Sequence, residues 1–168
     1  KLSNKHPRVN ILQPGTGVGG HCIAVDPWFI ISQDFENTKL IRSARNINNY
    51  KTKWVINKIK NAADEYVFKT KIKPKIACLG LTFKPDIDDL RESKALEVAE
   101  TLLAYGYEIN VVEPNIQSHV KLSLLNLSEA IEKADIICVL VKHHEFLQLD
   151  VKDKLIKRGA LDFCGALS

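Results

Sequence analysis

From Gln13 to Ile30 the chain reads Gln-Pro-Gly-Thr-Gly-Val-Gly-Gly-His-Cys-Ile-Ala-Val-Asp-Pro-Trp-Phe-Ile, with four glycines leading into one cysteine and an aspartate four residues beyond it. Gly15, Gly17, Gly19 and Gly20 permit positive φ and a close approach of backbone to a ligand, so their turn presents Cys22 at the end of a tight loop. A thiolate is the nucleophile such a loop displays, and the chemistry it suits is covalent catalysis. If a helix opens at Cys22, Asp26 stands one turn further along the same face, where it can orient a water or take up a proton.

Two other chemistries compete for these residues. Gly15, Gly17 and Gly20 also fit the Gly-x-Gly-x-x-Gly dinucleotide fingerprint. That fingerprint requires a strand before it, an uninterrupted helix after it and an acidic residue about 20 positions on, at the end of a second strand. Here Pro14 precedes the glycines, Pro27 follows them, and the region that should hold a second strand is helical in pattern. A cysteine-histidine hydrolase would pair Cys22 with His21, but adjacent side chains rarely form the hydrogen bond that activation requires.

The elements that position this loop follow from periodicity. Residues 9–12 are expected to form a short strand, followed by the glycine loop and a short helix entered near Cys22. From Thr38 to Phe68 apolar residues recur at a helical period, through Leu40, Ile41, Ala44, Ile47, Trp54, Val55, Ile59 and Ala62. So long a helix is unusual in one small domain, and Trp54 and Ile59 are expected to bury against another helix across a dimer. After the polar stretch 69–74 the pattern changes to strands at 75–79, 108–112, 135–141 and 160–163, separated by helices over 90–103, 127–134 and 144–157. Alternation of this kind predicts an α/β unit at 73–168 with a Rossmann-like parallel sheet.

Ligands of such sheets sit beyond the carboxyl ends of the strands, which gathers Phe83, Lys84, Asp88, Asp89 and Arg91 into one crevice. The loop after the first strand holds only Gly80, a poor cradle for a pyrophosphate, and Lys84 supplies a point charge instead. Glu113 is read as punctuation at the end of a strand, before Pro114.

Composition bounds the remaining options. A 45% hydrophobic chain of 168 residues can bury a real core. It has no run of about 18 apolar residues and no leader pattern, so no membrane partner is expected and a cytoplasmic address follows by default. The net charge of +4 is scattered among acids without interleaved aromatics, which argues against nucleic acid as a partner. Cys78 and Cys138 fall in apolar runs that suit buried thiols, and no cysteine or histidine spacing suggests a metal.

Gly17 to Ile30, together with Gly80-Leu-Thr-Phe-Lys-Pro-Asp-Ile-Asp-Asp-Leu-Arg-Glu-Ser93, resembles the nucleotide-sugar 6-dehydrogenase family, the relatives of UDP-glucose dehydrogenase. The His21-Cys22 and Asp26-Pro27 pairs resemble the branch acting on UDP-N-acetylhexosamines, UDP-N-acetylmannosamine above all. The resemblance implies an NAD-dependent four-electron oxidation at C6 to a uronic acid for capsular or surface polysaccharide, with Cys22 as nucleophile and Asp26 assisting proton transfer. It implies substrate contacts from His6, Arg8, the backbone of Gly17, Val18 and Gly19, and Phe83 and Lys84, and a cofactor contact from Arg91. The implied division is 1–33 as the end of the catalytic region, 34–72 as a helical region that forms a homodimer, and 73–168 as the UDP-sugar-binding domain. The start at Lys1-Leu-Ser3 reads as that of a fragment lacking the N-terminal NAD-binding domain, so activity is not expected of this chain alone. UDP-N-acetylglucosamine is the alternative substrate, and a non-catalytic UDP-sugar-binding or dimerisation module the alternative role. One departure stands out: the family usually carries Lys or Arg near the last strand, where this chain has Asp162-Phe-Cys164-Gly165. A cysteine does not bind phosphate as a cation does, so either another basic residue such as Lys157 or Arg158 substitutes or affinity is weaker.

Overall fold

The computed structural model describes residues 3–8 and 11–168. A single helical turn at Ser3–Lys5 and an irregular segment lead to α1, Cys22–Gln33, and then to α2, Lys39–Thr70. Residues 9 and 10 of the expected first strand lie outside the described residues, and Ile11 and Leu12 are exposed and in no strand. The rest alternates: β1 Lys75–Leu79, α3 Lys94–Ala104, β2 Glu108–Val112, β3 Ser123–Leu124, α4 Leu127–Lys133, β4 Ile136–Val139, a single turn His144–Leu147, α5 Leu149–Lys157 and β5 Leu161–Asp162.

The five strands form one parallel sheet in the order β3-β2-β1-β4-β5. This is the Rossmann-like sheet expected for 73–168, and its order reverses between β1 and β4. Central β1 is buried from Ile76 to Leu79, as a strand with helices on both faces must be. On one face Ile76 and Cys78 join Val98, Ala99 and Leu102 of α3 and Val55, Ile56 and Ile59 of α2. On the other, Ala77 and Leu79 meet Ala130 of α4 and Leu155 of α5.

That arrangement corrects the part expected of Trp54 and Ile59. Ile59 is fully buried within the chain, and Trp54 meets Phe163 edge to face at 6.1 Å, so neither side chain waits for a partner helix. The apolar groups α2 leaves exposed are Leu40, Ile47 and Tyr50 in its first half and Val67 and Phe68 at its end. At that end, the Tyr66 hydroxyl donates to Asp135 Oδ1 at 2.6 Å while Asp135 Oδ2 accepts the Lys75 N–H at 2.8 Å, tying α2 to the amino edge of the sheet.

Other boundaries moved for local reasons. Helix α3 starts at Lys94, because Ser93 is its cap: the hydroxyl accepts the Leu96 N–H and donates to the Leu81 carbonyl at 2.5 Å. The helix expected over 144–157 is split at Gln148, whose extended backbone (ψ 135°) separates the turn from α5. Strand β3 was not expected, since two residues are too few to show alternation. Pro27 does not end α1, which runs on to Gln33 although the Ile23 carbonyl lacks its usual helical donor.

Candidate functional site

The glycine loop lies between α2 and the loop joining β1 to α3, and both hold it. Asn48 of α2 grips Val18 twice, its Oδ1 accepting the Val18 N–H at 2.7 Å and its Nδ2 donating to the Val18 carbonyl at 3.0 Å. One turn on, the Thr52 hydroxyl donates to the Thr16 carbonyl at 3.3 Å. On the other side the Gly20 N–H donates to the Arg91 carbonyl at 3.1 Å. A Cβ on Gly19 would stand 2.3 Å from the Glu92 carbonyl oxygen, and one on Gly20 (φ +87°) 2.8 Å from the Phe83 ring. The last two glycines are thus needed for the chain to dock on itself, and both are buried.

Docked in this way, Cys22 is the first residue of α1 and the one exposed cysteine of the four. Asp26, one turn along, is exposed as well. The Sγ lies 3.6 Å from His21 Nδ1, so the neighbouring pair does make the contact that sequence reasoning held to be rare. Among the described residues no carboxylate hydrogen-bonds His21 in turn, so the oriented base of a hydrolase is incomplete.

The opposing loop carries Phe83, Lys84, Asp88, Asp89 and Arg91. Phe83 is half-buried against Gly20, while Lys84 is exposed with its Nζ 5.6 Å from the Phe83 ring. Arg91 forks onto Asp89, with Nη2 to Oδ2 at 2.6 Å. The hydrogen bonds from Arg91 drive the Asp89 carboxyl down to about 2, and the same bonds push the guanidinium further up, with a smaller contribution from the charge of Cys22. His6 and Arg8 are exposed, the Arg8 N–H donating to His6 Nδ1 at 3.2 Å. No contact joins them to the Cys22 or Lys84 loops among the described residues.

Glu113 and His143 were missed as organisers. Glu113 is buried, and its Oε2 accepts the N–H groups of Leu81 (2.7 Å) and Thr82 (3.2 Å). His143, fully buried, accepts the Asp86 N–H on Nδ1 at 3.0 Å, which leaves Nε2–H to donate to Glu113 at 3.1 Å. Burial opposes ionisation of Glu113, but the bonds from His143, Leu81 and Asn115 outweigh it and hold the carboxyl below its ordinary range. The pair fixes both ends of the segment that bears Phe83 and Lys84. An acid at a strand end followed by Pro gave no sign of this; the adjacent His143-His144 pair after a buried strand was the available hint.

The same bonds decide what this sheet can hold. A dinucleotide's pyrophosphate would need the free N–H groups beyond β1, and Glu113 already occupies those of Leu81 and Thr82. The carboxyl end of β1 therefore does not fit a dinucleotide. Among the described residues one group could present three ligand atoms to a cation, namely Asp86, His143 and Glu145, but the His143 Nδ1 lone pair is already taken by the Asp86 N–H. Arg158 donates to the Ala134 carbonyl, before β4 and thus at the opposite end of the sheet from Cys164, so it does not replace the missing cation; Lys157 ends α5 beside it. The basic groups that line a cavity with Cys164 are Lys51 and Lys142. Among the described residues no helix is long and apolar enough to cross a membrane.

Comparison with known proteins adds to this geometry. The UDP binding domain of the UDP-glucose/GDP-mannose dehydrogenase family matches residues 77–166, and the central domain of that family matches residues 1–50. A UDP-N-acetyl-D-mannosamine dehydrogenase of Campylobacter jejuni is 51% identical over 93% of this chain and 39% of its own length. An NDP-N-acetyl-D-galactosaminuronic acid dehydrogenase of Ralstonia solanacearum is 46% identical, over 99% of this chain and 39% of its own length. The solved UDP-D-ManNAc dehydrogenase of Pyrococcus horikoshii superposes with a TM-score of 0.76 at 31% identity, covering 99% of this chain and 40% of that one. The chain thus spans about two fifths of the length of the relatives it matches.

Proposed function

From the premise that this chain belongs to the UDP-glucose/GDP-mannose dehydrogenase family, we propose that the protein containing it oxidises the C6 alcohol of UDP-N-acetyl-D-mannosamine to the uronic acid, for capsular or other surface polysaccharide. The observation that carries the reading is the Gly20 to Arg91 hydrogen bond, which sets an exposed cysteine beside a loop bearing a lysine and an arginine.

In this reading the alcohol is first oxidised to an aldehyde. Cys22 Sγ then bonds to the aldehyde carbon, loss of hydride from that carbon leaves a thioester, and water breaks the C–S bond to give the carboxylate and return the thiol. A bare aldehyde is a poor hydride donor until a nucleophile has added, which is why a thiol is required. Asp26, on the Cys22 face of α1, moves the proton of the attacking water. NAD would supply the hydride acceptor, one molecule for each of the two oxidations. Because the end of β1 does not fit a dinucleotide, its site is assigned to protein outside these residues, with Arg91 reaching it. Lys84, Phe83 and the Gly17 to Gly19 backbone bind the UDP-sugar, with Arg8 and His6 reaching it from a neighbouring subunit.

The proposed division is a catalytic region at 1–33, a dimer-forming helical region at 34–72 and a UDP-sugar domain at 73–168, acting in the cytoplasm. A homodimer is supported by the exposed Leu40, Ile47 and Tyr50 on α2 and Trp28, Phe29 and Ile30 on α1. Arg42 Nη1 and Arg45 Nε, buried and without hydrogen-bond partners, lie on the same half of α2. The test is product formation by the complete protein given UDP-N-acetylmannosamine and UDP-N-acetylglucosamine side by side. Two NADH per uronate from the first is the expected result; no uronate from either sugar overturns the reading.

A further inference from the structure

Lys84 stands between two residues that meet the same side chain. Thr82, two positions before it, and Asp86, two positions after it, both reach the imidazole of His143, which is fully buried beyond β4. The Asp86 N–H donates to Nδ1 at 3.0 Å, and Asn115 Nδ2 lies 3.2 Å from the same atom. A backbone N–H cannot be turned round as a side-chain amide can, so Nδ1 keeps its lone pair and Nε2 carries the proton. That proton faces Glu113 Oε2 at 3.1 Å and the Thr82 hydroxyl oxygen at 3.3 Å. Thr82 in turn donates its own hydroxyl proton to the Lys84 carbonyl at 3.0 Å. The two ring nitrogens of His143 therefore bridge the chain on either side of Lys84.

The bridge restrains the backbone and leaves the side chain free. Asp86 has φ +61°, a left-handed conformation that aspartate tolerates but that its surroundings must hold. Here its N–H is on His143, and its Oδ1 accepts the His144 N–H at 2.9 Å. The His143 ring is itself set by packing edge to face on buried Phe146, with centroids 5.5 Å apart. Lys84 is exposed, and among the described residues no carboxylate lies within ion-pairing distance of it. A lysine gives up rotamer freedom when it binds a ligand, and a loose backbone would add to that loss. We propose that His143 is a positioning residue for substrate binding: by bridging Thr82 and Asp86 it fixes the backbone from which the Lys84 ammonium meets the nucleotide sugar. The proposal rests on the UDP-sugar reading above and adds to it a residue that touches no substrate. Because Lys84 follows β1 and His143 follows the neighbouring β4, the pairing of two central strands sets the place of one cation.

The test is a double-mutant cycle on the complete protein, read as calorimetric affinity for UDP-N-acetylmannosamine, with each variant checked for a cooperative thermal transition. Lys84→Met is expected to bind roughly tenfold more weakly, and His143→Phe, which keeps an aromatic ring but neither nitrogen, about fivefold more weakly. The double variant should bind within about twofold of Lys84→Met alone, because His143 acts through Lys84. His143→Asn, whose Oδ1 can replace Nδ1 as acceptor of the Asp86 N–H, should stay within about twofold of the parent. His143→Gln, which reaches towards Glu113 and leaves the Asp86 N–H without that acceptor, should lose about as much as His143→Phe. In turnover the losses should fall on KM, with kcat held to within about twofold. Parent affinity in folded His143→Phe, losses that multiply in the double variant, or equal affinities of the Asn and Gln variants each overturn the role given to His143 and leave the UDP-sugar reading in place. A parent that binds neither UDP-N-acetylmannosamine nor UDP-N-acetylglucosamine overturns both.

Discussion

The N–H of Gly20 donates to the carbonyl of Arg91 at 3.1 Å, and this one bond joins the loop that presents Cys22 to the loop that carries Phe83 and Lys84. The two segments lie about 70 residues apart in sequence yet form one wall of the site. Their contact is dense because Gly19 and Gly20 bring backbone against Glu92 and Phe83.

Gly19→Ala should break that contact. Its Cβ would fall 2.3 Å from the Glu92 carbonyl, and neither partner is a flexible side-chain end. Forced overpacking of this kind costs roughly 1–3 kcal/mol. Thermal denaturation should show a lowered midpoint, and UDP-sugar affinity should fall with it. An unchanged midpoint would mean that the loops are not held together in this way.

Cys22 should be the one thiol that reacts quickly. Burial pushes Cys78 and Cys164 up to about 12 and raises Cys138 well above the ordinary thiol value, whereas Cys22 is exposed. Mass spectrometry after brief iodoacetamide treatment should find one adduct per chain, on Cys22. In the complete protein Cys22→Ser should keep substrate affinity while losing at least about 10³ in kcat, roughly 4 kcal/mol of transition-state stabilisation. Uronate formation at a tenth or more of the parent rate would remove this cysteine from the mechanism.

Glu113→Ala should loosen the Lys84 loop from behind. It strips the acceptor from the N–H groups of Leu81 and Thr82 and leaves Nε2–H of His143 with the Thr82 hydroxyl, 3.3 Å away, in place of a carboxylate. Each unsatisfied buried donor costs about 1–3 kcal/mol. Hydrogen exchange at the Leu81 and Thr82 amides should accelerate strongly, and protection equal to the parent's would contradict the role given to Glu113.

Acid should weaken the Asp89 to Arg91 pair in a defined window. Asp89 titrates at about 2 in the folded chain, against about 3.9 for a free aspartate. A depressed carboxyl stabilises the fold fully above its unfolded value, and that contribution is lost as pH falls through the folded one. The difference in thermal midpoint between the parent and Asp89→Asn should therefore be constant above about pH 5 and shrink as pH falls from about 4 towards 2. A difference that does not change across this range would show that the pair is not coupled to folding.

Leu40 and Ile47, seven residues apart on one face of α2, are exposed in the chain by itself. Sedimentation of the complete protein should give a dimer, and the Leu40→Asp, Ile47→Asp double variant should shift it to monomer. A parent that stays monomeric at high concentration would count against the helical region as a dimer interface.

Much of the fold was legible because it depends on local patterns. The long apolar period of α2, the continuously apolar β1 and the Gly106 stop after α3 each declare themselves within a few turns, and the parallel sheet follows from their alternation. The Cys22 and Phe83 to Arg91 motifs were legible too, since their residue types carry their own chemistry. What the glycines are for was not: sequence reasoning aimed them at a ligand, and folding turned Gly19 and Gly20 onto Phe83 and Glu92. Ile59 and Trp54 looked like dimer contacts and became core, because α3 and Phe163 reach them from elsewhere in the chain. Glu113 carried no signal, and His143 only its place beside His144 after a buried strand, since what a buried carboxylate does is defined by which distant atoms surround it. Residue order determines the elements and the reactive groups; which amide a carboxylate satisfies is decided only when strands and helices far apart in sequence pack together.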